Sequence, residues 1–156
     1  MKPEFLRVAL HEAGHALVCE LLAGGRVTSL SLDNRGAGRY THVDDLAPLP
    51  LLRAIVGGDA AERLIFGYAG SLGYTSGDMV DARYCIAAAL DIGVIDAYAR
   101  GHPLFEAAMA DALDFLRERE RLLRDVAELL FARRTLSRDE FLAALAGSPV
   151  IALVTA

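Results

Sequence analysis

The sequence predicts a mainly α-helical domain with a small β-hairpin or short sheet after the first helix. Alanine and leucine contribute 27 and 25 of the 156 residues, whereas only five prolines occur. Apolar residues recur at helical spacing through most of the chain, and one short segment, 27–32, alternates apolar and hydroxyl side chains. A chain of this length can bury a core, so we expect one domain over 1–156.

The first helix is predicted from Pro3 to about residue 23. Proline suits the first helical turn, and the glycine pair at 24–25 ends the apolar repeat. A strand over 27–32, turn residues at 33–36 and a second strand over 39–43 then predict the hairpin.

The second helix is predicted over about 51–66, opened by Pro48 and Pro50. It contains Gly57 and Gly58, a pair that weakens a helix, so we expect close packing against another helix or a local break there. Residues 67–77 include four glycines and are predicted as a loop. A third helix follows from Asp78 to about residue 90.

The last third of the chain, from Pro103, is predicted to be helical throughout. The mixed-charge run 117–121 is expected to form a solvated face, and Ser137 with Glu140 forms a capping-box pattern for the final helix. Residues 141–156 carry no charge, but Gly-Ser-Pro at 147–149 interrupts them. We therefore expect a docked last helix followed by an apolar tail, with no membrane span.

Composition excludes several function classes. The net charge is −5 and no basic tract occurs, which argues against nucleic-acid binding. Lys2 is the only lysine, so the chain lacks a phosphate-binding loop and we expect no ATP binding. Cys19 and Cys85 are predicted to be reduced, buried thiols, and with no signal peptide the chain is predicted to be cytoplasmic.

The sequence His-Glu-Ala-Gly-His at 11–15 lies within the first predicted helix. Residues four apart share a helix face, so His11 and His15 can bind one metal ion. Glu12 can take a proton from water whose pKa the ion lowers to about 7. This pattern predicts a zinc site with two ligands and a base.

A catalytic zinc needs a third protein ligand and an open position. Metzincins have a glycine and a histidine downstream of the motif, but Val18 and Leu21 occupy those positions here, which excludes that class. His42 and His102 are expected to be solvent-exposed residues in loops. Two acids remain as candidates, and they are Glu62 and Asp78.

Three motifs together resemble the peptidase domain of the FtsH family, membrane-bound, ATP-dependent zinc proteases. They are His-Glu-Ala-Gly-His-Ala at 11–16, Gly-Gly-Asp-Ala-Ala-Glu with Phe-Gly at 57–67, and Thr-Ser-Gly-Asp at 75–78 followed by Ala-Arg at 82–83. The resemblance implies a zincin-like helical metallopeptidase fold. It also implies that His11, His15 and Asp78 bind zinc and that Glu12 is the general base.

The resemblance covers most of the chain, including the long helices after residue 103. The single predicted domain divides into a zinc-site region at 1–100, C-terminal helices at 101–147 and a tail at 148–156. Asp59 departs from it, because family members usually have arginine there. Asp78 also suits a helix N-cap. Glu62 is the rival ligand, a carboxylate that orients a metal-bound histidine, or a surface residue paired with an arginine.

We therefore expect a zinc metalloendopeptidase that stands alone, without an ATPase module or membrane anchor. Its substrates would be peptides or unfolded segments, added to an open edge of the strand at 27–32. Tyr40, His42 and Tyr74 are candidate oxyanion donors. A homo-oligomer or a separate ATPase partner stays open, and the alternative function is a non-proteolytic zinc-binding regulatory or partner-binding module.

Overall fold

The computed structural model describes residues 3–43, 45–68 and 77–147, which form a mainly helical fold with a small antiparallel sheet. The helices are α1 (Pro3–Leu17), α2 (Pro48–Phe66), α3 (Gly77–Leu90), α4 (Pro103–Arg117), α5 (Glu120–Arg133) and α6 (Arg138–Ala146). The strands are β1 (Val27–Leu32), β2 (Gly38–His42) and β3 (Thr135–Ser137). The predicted helical class and the predicted hairpin are confirmed.

Helix α1 starts at Pro3 as predicted, but its last turn changes geometry. After Leu17 the chain continues as a π-helical turn, Val18–Leu22, and the amide of Ala23 closes it on the carbonyl of Val18 at 2.8 Å. The predicted extent of about 3–23 is therefore correct, whereas the change to π-helix was not predicted. Wider turns of this kind occur often near functional sites.

The glycine pair in α2 has a packing reason. A Cβ at Gly57 would lie 2.7 Å from the backbone carbonyl oxygen of Gly14, so α1 and α2 touch backbone to backbone at this crossing. Ala61 adds a further small side chain to the same contact. The close helix packing predicted for this pair is confirmed, and α2 runs unbroken through it.

The sheet has the strand order β2-β1-β3, with all pairs antiparallel. Leu30 at its centre pairs with Tyr40 on one side and Leu136 on the other. The expectation of an open edge on β1 is therefore wrong, because β1 is paired on both sides. Among the described residues, β2 and β3 each have an outer edge without a strand partner, and the edge of β2 is the one beside α1.

The C-terminal half contains two departures from a continuous helical region. Residues 118–119 separate α4 from α5, so the charged run 117–121 spans a helix break as well as a solvated face. Strand β3 was not predicted either, and it follows Arg134, which has a left-handed φ of 67°. The capping box is confirmed: Ser137 accepts from the Glu140 amide, and Glu140 accepts from the Ser137 amide.

No helix in the described ranges is long and apolar enough to cross a bilayer. The predicted tail, 148–156, lies outside the described residues. So do most of the predicted loop, 69–76, and with it Tyr74. Cys19 and Cys85 are buried free thiols, as predicted.

Candidate metal centre

Helix α1 brings the two histidines of the motif together. His11 and His15 are 9% and 2% exposed, and their Nε2 atoms lie 2.9 Å apart. The rings meet edge to face, with centroids 4.5 Å apart. The four-residue spacing thus gives the shared helix face that the sequence predicts.

Asp78, in the first turn of α3, completes the cluster from a distant part of the chain. Its Oδ2 lies 3.1 Å from Nε2 of His11 and 3.2 Å from Nε2 of His15. Three candidate ligand atoms therefore stand 2.9–3.2 Å from one another. Ligands at about 2.0–2.1 Å from a tetrahedral zinc lie about 3.3 Å apart, so only small shifts separate this triangle from a zinc site.

In each imidazole, the hydrogen bond made by Nδ1 determines whether Nε2 has a free lone pair. Nδ1 of His11 lies 2.8 Å from Oε1 of Glu62, an acceptor, so Nδ1–H donates to it. Nδ1 of His15 lies 2.9 Å from the carbonyl oxygen of Ala54 and donates there. The amide of Gly58 is 3.3 Å from the same nitrogen, but it belongs to the helix ladder of α2. Both Nε2 atoms are thus left to accept a proton or a metal.

The two Nε2 atoms and the Asp78 carboxylate are all acceptors, so a positive charge between them is stabilising. Burial lowers the pKa of His11, but its hydrogen bonds to Asp78 and Glu62 outweigh burial and raise the pKa to about 10. Burial also lowers the pKa of His15, and the charge of Asp78 more than offsets it, so that pKa rises too. Burial acts to raise the pKa of Asp78, yet the two histidines hold it well below its usual range. A proton satisfies this demand in part, and a divalent cation suits the same place.

Glu62 contacts the Nδ1 side of the His11 ring, opposite the Nε2 atom that faces Asp78. Its Oε1 accepts from His11, and its Oε2 accepts from Nε of Arg7 at 2.7 Å. Glu62 is fully buried, so of the three alternatives left open for it the surface glutamate is wrong. Arg7 was missed by the sequence analysis, although it precedes His11 by four residues and therefore shares its face of α1.

A second potential metal-binding group contains His11 together with two acidic residues. Its ligand atoms come from His11, Asp59 and Glu62 and also lie within 4.8 Å of one another. Asp59 is 4% exposed, and its Oδ1 has no hydrogen-bond partner among the described residues. Burial raises the pKa of Asp59 to about 6, against the opposing effect of His11. This group has less to offer a metal, because both oxygens of Glu62 are already engaged.

Glu12 adjoins the cluster and is 7% exposed. Burial raises its pKa, and the nearby His15 and His11 oppose the rise. A Cβ at residue 38 would lie 2.6 Å from Oε1 of Glu12, so only glycine at that position leaves room for the carboxylate. Gly38 begins β2, and the sequence analysis did not single it out.

Three cavities lined by described residues meet around the cluster. The central one, about 420 Å³, lies between Glu12, the three candidate ligands and residues 38–40 of β2. A smaller one of about 210 Å³ adjoins Glu12 beside residues 36–38. A third, about 450 Å³, extends from Tyr40 and Asp81 between α2 and α3. The cluster therefore faces a cleft that follows β2.

The remaining candidates have other surroundings. Tyr40 stacks on His15 with ring centroids 4.8 Å apart, and it also lines the cleft. His42 ends β2 and is half-buried against Tyr40, so its expected loop position is wrong. His102 caps α4 by accepting from the Leu104 amide and is half-buried, so its expected solvent exposure is wrong as well. In the described ranges, neither of these histidines belongs to a potential metal-binding group.

The chain was also compared with known proteins. No family model matches it, and no curated protein matches it in sequence.

Proposed function

We propose that this protein is a zinc-dependent metallopeptidase of zincin-like fold that cleaves peptides or unfolded segments. The observation that carries the proposal is the meeting of three ligand atoms, from His11, His15 and Asp78, at 2.9–3.2 Å from one another. Two imidazoles, one carboxylate and access to a cavity match the donor set of a catalytic zinc with one open position. When bound, zinc would polarise the scissile carbonyl and lower the pKa of water to about 7.

The surrounding residues support these ligand roles. Glu62 and the Ala54 carbonyl hold each ring with its Nε2 lone pair directed into the cluster, the usual function of outer partners of metal-bound histidines. Arg7 holds Glu62 in place through an ion pair of 2.7 Å. We therefore propose Asp78 as the third ligand and Glu62 as the residue that orients His11.

Glu12 is proposed as the general base. Its carboxylate lines the same cavity as the ligands, and burial raises its pKa, which makes it a stronger proton acceptor. Glu12 would take the proton of the attacking water and deliver it to the leaving amine. Tyr40 lines the same cavity and is the proposed donor to the carbonyl oxygen.

The unpaired edge of β2 is the proposed docking strand for substrate. Residues 38–40 line the central cavity, so an extended peptide added to this edge passes over the cluster. A segment whose backbone groups are already paired within a folded protein cannot add to this edge. Peptides and unfolded segments are accordingly the proposed substrates.

The test is proteolysis by purified, zinc-loaded protein, with unfolded casein and a peptide library as substrates. We expect about one zinc per chain and cleavage that a chelator abolishes and zinc restores. Glu12→Gln should keep the zinc and lose cleavage, whereas Glu128→Gln, in an exposed part of α5, should change neither. Zinc binding without cleavage would contradict the proposal and favour a non-proteolytic zinc-binding module. Cleavage that persists in Glu12→Gln would remove the assigned base.

A further inference from the structure

The largest of the three cavities is not used by the proposed chemistry. It has a volume of about 450 Å³, and Leu51 and Ile55 of α2 form one wall while Tyr84 and Ala88 of α3 form another. Apolar side chains thus supply much of its surface. Its size lies in the range of cavities that bind organic groups.

This cavity opens directly onto the metal cleft. Tyr40 and Asp81 line both spaces, so they stand at the boundary between them. An occupant of the cavity can therefore be continuous with a peptide that lies over the cluster. Asp81 gives that boundary a negative charge, which disfavours an acidic occupant.

The direction of β2 relates the cavity to the cleaved bond. The strand begins at Gly38, against Glu12, and ends at His42, which lines the cavity. Every strand pair in the sheet is antiparallel, and antiparallel pairing is slightly more stable per residue than parallel pairing. A substrate strand added antiparallel to β2 runs from the His42 end toward the Gly38 end. The residue at the cavity then precedes the bond at the cluster.

We propose that this cavity is the specificity pocket of the enzyme and that it holds a large apolar side chain located one to three residues before the cleaved bond. The inference rests on the proposed peptidase function. It adds a substrate preference and a substrate direction. Burial of a leucine or phenylalanine side chain in the pocket supplies binding free energy, whereas glycine or aspartate at that position gains none.

Ala88 provides a direct test, because it is exposed on α3 and lines the cavity. Ala88→Phe places a large side chain in the pocket. Ala89→Phe is the matched control, because Ala89 is also exposed on α3 but does not line the pocket. Cleavage sites in a peptide library should be enriched in phenylalanine, leucine and methionine before the bond. Ala88→Phe should lower kcat/KM for such peptides by about tenfold or more and leave glycine-containing peptides within about twofold. Ala89→Phe should leave the profile of the wild type.

Failure of this inference differs from failure of the peptidase function. Cleavage without an apolar preference, a preference confined to residues after the bond, or a profile unchanged by Ala88→Phe would each overturn the pocket assignment. A wild type that cleaves nothing would overturn the function. Binding then decides the pocket: in a nuclear magnetic resonance titration of the zinc-loaded protein, N-acetyl-phenylalanine amide should shift the Tyr84 and Ala88 amides, and N-acetyl-glycine amide should not. Equal or absent shifts would overturn the pocket assignment.

Discussion

Gly58 lies so close to His15 that a Cβ at residue 58 would come within 2.6 Å of the imidazole Nε2. The same Cβ would lie 2.6 Å from Nε2 of His11. Glycine at this position of α2 therefore leaves the space in which the two candidate ligand atoms meet.

Gly58→Ala should consequently weaken zinc binding by about tenfold or more, because the methyl group must displace both imidazoles from the ligand positions. Gly93→Ala is the matched control, since Gly93 has a φ of −67° that suits alanine and a Cβ there would meet its nearest described neighbour at 3.4 Å. Zinc titration with a competing chelator measures both affinities, and circular dichroism checks that α2 is intact. Wild-type affinity in Gly58→Ala would mean that the metal does not bind between these rings.

Substitution of the acids separates the two potential metal-binding groups. Asp78→Asn should reduce zinc affinity by more than about 100-fold, because a charged ligand is lost, whereas Glu62→Gln should reduce it by about 10–100-fold through the orientation of His11. Asp125→Asn, on an exposed position of α5 and outside both groups, should leave the affinity unchanged. Zinc content and thermal unfolding are measured for each variant. Loss of zinc in Glu62→Gln with retention in Asp78→Asn would instead assign the metal to His11, Asp59 and Glu62.

The sequence predicted the local parts of this site and left its distant parts open. His11, Glu12 and His15 lie within two turns of one helix, so their relative placement follows from helical spacing alone. Asp78 lies 67 residues from His11 in the chain, and its position depends on how α3 packs. Spacing in the sequence contains no information on that packing, and only the family resemblance favoured Asp78 over Glu62 as the third ligand.

The fold shows the same division between local and distant information. Capping by Ser137 and Glu140 is a short-range pattern and was predicted. Strand β3 has three residues, too few for a recognisable alternation, and it forms by pairing with β1 more than a hundred residues away. The role of Arg7 was similarly hidden, because its partner Glu62 is on another helix.

Because the two cysteine thiols are buried, we predict that the protein loses stability at alkaline pH. Burial raises the pKa of Cys19 to about 12 and that of Cys85 to about 11, from an ordinary value of 9.0. The folded state therefore holds these protons more tightly than the unfolded state. The resulting stabilisation is complete below about pH 9 and is lost as the pH rises toward 11–12.

Between pH 9 and pH 10 the free energy of unfolding should fall by about 1 kcal/mol for each thiol. Urea denaturation of the wild type, Cys19→Ala and Cys85→Ala at both pH values measures this change. Each alanine variant should lose less stability over the interval than the wild type does. An identical change in all three proteins would show that the thiols keep their ordinary pKa values when folded.

Substitution of Leu136 measures how much the short strand β3 contributes to the free energy of unfolding. Its side chain is fully buried, and its backbone pairs with Leu30 at the centre of the sheet. Leu136→Ala should lower the free energy of unfolding by about 2–5 kcal/mol, because it removes buried methyl groups and leaves a cavity. Leu142→Ala is the matched control, since Leu142 is 36% exposed on α6 and should lose under about 1.5 kcal/mol. Urea denaturation measures both values, and equal losses would mean that β3 is not part of the stable core.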